Sequence, residues 1–229
     1  MVGVIGLLAF PLYASVAWNV PASTYGSGYP QNRGQIGQTS STGGSQISFD
    51  EAVAAFQNYV TATGNKDLAV SEVMEFQNNF YAIVYEKSTG MGAFELLIDK
   101  TGNNGYGGMM HERGLVFPEP GPNMMWNTKY GMMGTGAMMG FGRRVIPSNA
   151  GASASMPITA EQAKGYAMRY LDKNLPGASL EDPVRFYGYY TIHILKDGKI
   201  YGMLSVNGYT GEVWYHTWHG QFVQEKDLS

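Results

Sequence analysis

Apolar residues recur at Ala52, Ala55, Phe56, Tyr59 and Val60, and at the same steps at Ala163, Tyr166, Ala167, Tyr170 and Leu171. Steps of three and four residues put each set on one stripe of a helix. Each run opens on the same start signal. Ser48 precedes Glu51 by three positions, and Thr159 precedes Gln162 by three, so both match a capping box. Gly64-Asn65 closes the first predicted helix; Asn174 with Pro176-Gly177 closes the second.

Strand-like runs follow each helix in the same order. Phe80–Tyr85 corresponds to Tyr190–Leu195, and Ala93–Asp99 to Ile200–Asn207. The turns between them are Lys87-Ser88-Thr89-Gly90 and Lys196-Asp197-Gly198-Lys199; Asp-Gly tolerates positive φ and marks a hairpin. A further turn, Thr101-Gly102-Asn103 or Thr210-Gly211-Glu212, leads into a last strand. That strand is predicted at Leu115–Phe117, after an insertion from Asn104 to Gly114, and at Glu212–Trp218. The pattern predicts an α+β fold of two repeated units, each one helix packed on an antiparallel β-meander. The units span 47–117 and 158–229, with a Met/Gly/Pro-rich insertion and linker at 118–157.

The amino terminus has a different character. Residues 2–20 carry no charge and approach the ~20 residues that cross a bilayer as a helix. Small residues at Ser15-Val16-Ala17 also suit a signal peptidase. Residues 1–20 are therefore expected to form an apolar N-terminal helix, either a signal peptide or a membrane anchor. Both readings put the remainder outside the cytoplasm, periplasmic or at the cell surface. Residues 21–46 are rich in Gly, Ser, Gln and Thr and read as a flexible linker with a root-mean-square reach of roughly 28 Å.

Composition narrows the partners. A net charge of −3 with 14% charged residues leaves no basic footprint for nucleic acid. The absence of cysteine removes disulfides, thiolate metal sites and cysteine nucleophiles. There is no G-x-S-x-G elbow, and the Gly-rich run at 102–108 lacks the lysine of a phosphate loop. Glu51 and Glu75, and Glu95 with Asp99, are spaced as solvated surface carboxylates. The expectation is a non-enzymatic binding protein with no obligate cofactor and with a protein partner or self-association.

The opening Ile158-Thr159-Ala160-Glu161-Gln162-Ala163 and the closing Val206-Asn207-Gly208-Tyr209-Thr210-Gly211-Glu212-Val213 resemble the PepSY domain family. Asp99-Lys100-Thr101-Gly102 is a shorter form of the same closing turn, and Asn207 stands where that family usually has Asp. The resemblance implies a tandem of two divergent PepSY-like domains. It also implies an extracytoplasmic or membrane-linked, mostly non-catalytic role: binding or restraining a partner such as a peptidase, or accompanying membrane redox proteins. The methionine-rich insertion is not part of that family's pattern.

Eight of the chain's 14 methionines lie between Met109 and Met139. Thioethers are soft ligands that favour Cu(I) or Ag(I). Met109, Met110 and His111 form one candidate group; Met124 and Met125 beside Trp126, and the Gly-flanked pairs Met132-Met133 and Met138-Met139, supply the others. The competing reading is packing, since methionine fills irregular gaps and adjacent residues of an extended segment point to opposite faces. His216 and His219 share metal-like spacing, but on a predicted strand a step of three puts their rings on opposite faces. His193 is read as a hydrogen-bonded, half-buried histidine. Trp126, Tyr187, Tyr189, Trp214 and Trp218 are candidates for an exposed recognition face, against which stands ordinary cross-strand aromatic pairing. Self-association through open meander edges is a further reading.

Overall fold

The computed structural model describes residues 47–100, 115–119, 121, 125–131 and 152–229. They form an α+β structure of two helices and two antiparallel sheets. Helix α1 (Phe49–Ala62) starts at Ser48, whose side chain accepts from the Glu51 backbone while Glu51 reaches back to the Ser48 backbone. Helix α2 (Ala160–Asn174) starts in the same way at Thr159 and Gln162. Each such cap is worth about 1 kcal/mol. Both start signals lie where the sequence places them.

The first sheet runs in the order β10-β1-β2-β3-β4, from Phe222–Asp227 (β10), Leu68–Phe76 (β1), Asn79–Glu86 (β2), Gly92–Asp99 (β3) and Val116–Pro118 (β4). The second has β5 (Ser179–Leu180), β7 (Tyr189–Lys196), β8 (Lys199–Asn207) and β9 (Val213–Tyr215) in line, with β6 (Val184–Arg185) also paired to β7. Three cores result. Ala52, Phe56 and Val60 of α1 pack on Phe80, Ala82, Val84, Leu96 and Ile98. Ala163, Ala167 and Leu171 of α2 pack on Tyr190, Ile192, Leu204 and Val206. The remaining sheet faces meet each other through Met74, Phe76, Tyr81, Ile83, Leu97, Tyr189, Met203 and Trp218. The layer order is helix, sheet, sheet, helix.

Five strands differ from the sequence expectation, among them the two-residue β5 and β6, which are additional. β1 is an additional strand, because its alternation changes phase at a bulge between Val70 and Glu72. β10 is additional as well; its residues from Val223 to Asp227 are exposed, so no apolar alternation marks it. It leaves the second half of the chain and pairs with β1, from Glu72 opposite Asp227 to Phe76 opposite Phe222. β9 stops at Tyr215, short of the predicted Trp218. Among the described residues no helix is long and apolar enough to cross a membrane, and residues 1–20 and 21–46 lie outside the described residues.

A second link between the halves is polar. Glu86 at the end of β2 accepts from Tyr187 at 2.7 Å, pairs with Lys129 at 2.5 Å and also bonds Tyr130. Burial alone would raise its carboxyl. The hydrogen bonds from Lys129, Tyr130, Tyr187 and Thr89 outweigh that and hold it at about 2. A carboxylate depressed in the folded state stabilises above its ordinary value of 4.5, and that contribution fades as pH falls toward 2. Glu86→Gln is expected to lose on the order of 1–2 kcal/mol at pH 7 and to flatten the stability profile between pH 4.5 and 2 in urea titrations. An unchanged acid limb would rule out this carboxylate as its source.

Candidate functional site

Alternation along the strands sends several polar side chains onto the faces between the sheets. On β3, Phe94, Leu96 and Ile98 face α1, so Glu95 shares Leu97's side. Tyr81 donates to Glu95 Oε1 at 2.6 Å, Thr191 to the same oxygen at 2.7 Å and Tyr189 to Oε2 at 2.8 Å. Glu95 is 3% exposed and Asp99 is equally buried. Both were expected to be solvated surface carboxylates; the alternation argument assumes one wet face, whereas every residue of β3 is covered.

The second part of the cluster comes from a turn. After β9 the chain bends at Thr217-Trp218, and Gly220 takes φ +75°, a conformation glycine adopts without strain. This brings His216 and His219 together, with Nδ1 and Nε2 3.4 Å apart. Glu119, immediately after β4, is held by its backbone N–H on the Glu95 carbonyl at 2.9 Å. Its Oε1 lies 3.3 Å from His216 Nδ1, 3.3 Å from His219 Nε2 and 3.2 Å from the donating Trp218 Nε1. The opposed orientation expected for the two imidazoles is corrected, because they sit on a turn and not on a strand. Glu119 and His219 are 1% exposed and His216 is 3% exposed. Glu119 and Trp218 emerged from the sequence in no metal or proton-holding role; the Pro-Glu-Pro at 118–120 was its sole local mark.

Outer partners orient both rings. Asn79 Nδ2 donates to the Trp218 carbonyl at 3.3 Å, which leaves its Oδ1 to accept from His219 Nδ1 at 2.8 Å. His216 Nε2 lies 2.9 Å from Ser205 Oγ, which is 3.1 Å from Thr191 Oγ1. Burial dominates the electrostatics. At Glu119 it would raise the carboxyl, but the imidazoles of His216 and His219 overcome it and push the carboxyl far below the usual range. At Glu95 burial and the neighbouring Glu119 charge prevail and raise it well above the usual carboxylate range. Burial lowers His219 despite Glu119. The cluster is thus an unequal pair of carboxylates, suited to holding a cation or a proton between two sheets.

A separate polar group lies at the open end of the same layer. Ser71, Glu72, Ile83, Glu181, Val184, Glu225, Asp227 and Ser229 line a groove of about 430 Å³. His193, 6% exposed, bonds Glu181 through Nδ1 at 2.9 Å, and its Nε2 has no hydrogen-bond partner and stands 3.7 Å from Glu72. Burial pulls this imidazole down, but the Glu181 hydrogen bond and the Glu72, Glu181 and Glu225 charges hold it above its ordinary value.

Tyr187, Tyr189 and Trp218 do not present an exposed face: all three are buried, and Trp126 and Trp214 are half-buried. Tyr189 stacks on Phe186 with centroids 4.6 Å apart, Trp218 stacks on His216 at 4.7 Å, and Phe186, Tyr189 and Trp218 belong to the core between the sheets. Exposed aromatic surface sits instead at Tyr201 and Tyr209. Of the methionine set, Met125 is 60% exposed. Met109, Met110, His111, Met124, Met132, Met133, Met138 and Met139 lie outside the described residues.

No protein-family profile matches the chain, and no curated protein sequence matches it. Among solved structures it is similar to the Bacillus megaterium YpeB C-terminal domain, with 10% identity and a TM-score of 0.23. The match covers 74% of this chain and 62% of that one. A TM-score of that size does not establish a common fold.

Proposed function

We propose that this chain is a non-enzymatic, extracytoplasmic binding protein of two PepSY-like units, 47–117 and 158–229, serving as an accessory component of a membrane or cell-surface assembly. The observation that carries the reading is the groove at the rim of the sheet layer. Four carboxylates, from Glu72, Glu181, Glu225 and Asp227, open there around the buried His193 imidazole. A cationic segment of a protein partner is the ligand with matching charge. Complementary charge of this kind steers association and selects partners. The buried acid and imidazole cluster supports the same reading, since side chains exposed by 1–3% offer a large substrate nothing to touch. The capping boxes and the order of elements support two related units. The apolar residues 2–20 support export or anchoring.

The test is a comparative pull-down from native membranes with the full chain and a Glu72→Gln/Glu225→Gln variant. A partner recovered by the wild type, released by salt and recovered about tenfold less by the variant is the expected result. Equal recovery by both proteins, or a solitary chain in each, overturns it.

A further inference from the structure

We propose that Glu119, His216 and His219 form a preorganised three-ligand site for a tetrahedral divalent cation, with Zn²⁺ the best-fitting ion. This site is independent of the groove and of any protein partner.

Geometry carries the assignment. The three inner atoms, Glu119 Oε1, His216 Nδ1 and His219 Nε2, stand 3.3, 3.3 and 3.4 Å apart, close to an equilateral triangle. A tetrahedral zinc ion about 2.0–2.1 Å from its ligands separates them by about 3.3–3.4 Å. The triangle therefore has the edge length of one face of the coordination tetrahedron.

The outer hydrogen bonds fix which ring atom of each imidazole is turned inward. Asn79 Oδ1 can only accept, so His219 donates to it through Nδ1, and Nε2 is the ring atom turned inward toward Glu119. The Thr191 hydroxyl hydrogen goes to Glu95, so Thr191 accepts from Ser205, and Ser205 in turn accepts from His216 Nε2. His216 Nδ1 then also faces inward, toward Glu119. Two imidazole nitrogens and a carboxylate oxygen converge there, and a divalent cation would take the place of the protons they share. Metal-binding histidines characteristically donate their other ring N–H to such partners. Trp218 Nε1 adds a donor to Glu119 Oε1. Two nitrogens and one oxygen suit a borderline ion; Ca²⁺ and Mg²⁺ call for six or more ligands, nearly all oxygen.

The site joins strands from the whole fold. Glu119 follows β4, both histidines follow β9 and Asn79 opens β2. An ion there would fasten the two sheets from within, so binding couples to stability.

The full chain, stripped with chelator, is titrated with ZnCl₂ and separately with CoCl₂. Expected results are one zinc per chain, a melting temperature raised by several degrees and a visible Co²⁺ band of tetrahedral intensity. Glu119→Gln, which keeps the shape and removes the charge, should weaken zinc binding about 100-fold, and His219→Gln should do the same. A folded wild-type chain with no thermal shift and no such band overturns the site, whatever the variants do. Zinc uptake equal in wild type and folded variants also overturns it, by placing the ion elsewhere, for example on the methionine-rich segment.

Discussion

Replacing Trp218 with alanine is expected to lower the stability of the fold by about 3–5 kcal/mol, the range for removing a large buried aromatic ring. The ring is 5% exposed, stacks on His216 at 4.7 Å and meets Trp214 edge-on at 5.8 Å. It belongs to the core between the sheets, so its loss leaves a void where the two halves meet. The indole also donates to Glu119, a buried acceptor. Trp218→Phe separates the two contributions. It keeps most of the stacking surface and removes the N–H, and should cost about 1–3 kcal/mol, the loss for a buried acceptor deprived of one of its donors. Urea unfolding of the three proteins measures both. A Trp218→Ala loss below about 1 kcal/mol would show that the inter-sheet core contributes little.

Gly188→Ala is expected to be nearly as damaging for a different reason. Gly188 takes φ +100°, and a Cβ there would stand 2.1 Å from the Trp126 carbonyl oxygen. The obstacle is backbone, so no rotamer change relieves it. Thr128 N–H donates to the Tyr187 carbonyl at 3.0 Å and Gly208 N–H to the Gly188 carbonyl at 2.9 Å, which fixes both sides of the contact. The substitution must push residues 126–128 away from Tyr187 and Gly188 as well as strain its own backbone. A loss of more than about 3 kcal/mol corresponds to a fall in melting temperature of about 6–12 °C for a chain of this size. Gly198→Ala is the internal control, since Gly198 has a similar φ of +73° but open space around it. Differential scanning calorimetry should rank Gly188→Ala well below Gly198→Ala; equal melting points would refute the steric account.

The helices were the most legible part of the fold. Ser48 with Glu51 and Thr159 with Gln162 carry their own start signals, and the stripes that follow match the buried faces. Local chemistry decides those elements. The hairpins β2–β3 and β7–β8 were legible for the same reason. β1 was hidden by one extra residue at its bulge, which shifts the alternation out of phase. β10 was hidden because an edge strand with a wet face carries little apolar signal. The candidate site was the least legible. Glu95 reads as a surface acid until a second sheet covers its face. His216 and His219 read as divergent until Gly220 turns the chain under them. Glu119 reaches them from 97 and 100 residues away in sequence, a pairing that no local pattern encodes.

The pairing of β10 with β1 sets an order of events in the cell. Glu72 must wait for Asp227, 155 positions downstream. At about 5–20 residues per second the ribosome needs roughly 8–30 s to deliver that partner. Until then β1 presents a bare hydrogen-bonding margin, open to any extended chain nearby. A nascent chain of this design gains from being kept extended until Asp227 has emerged.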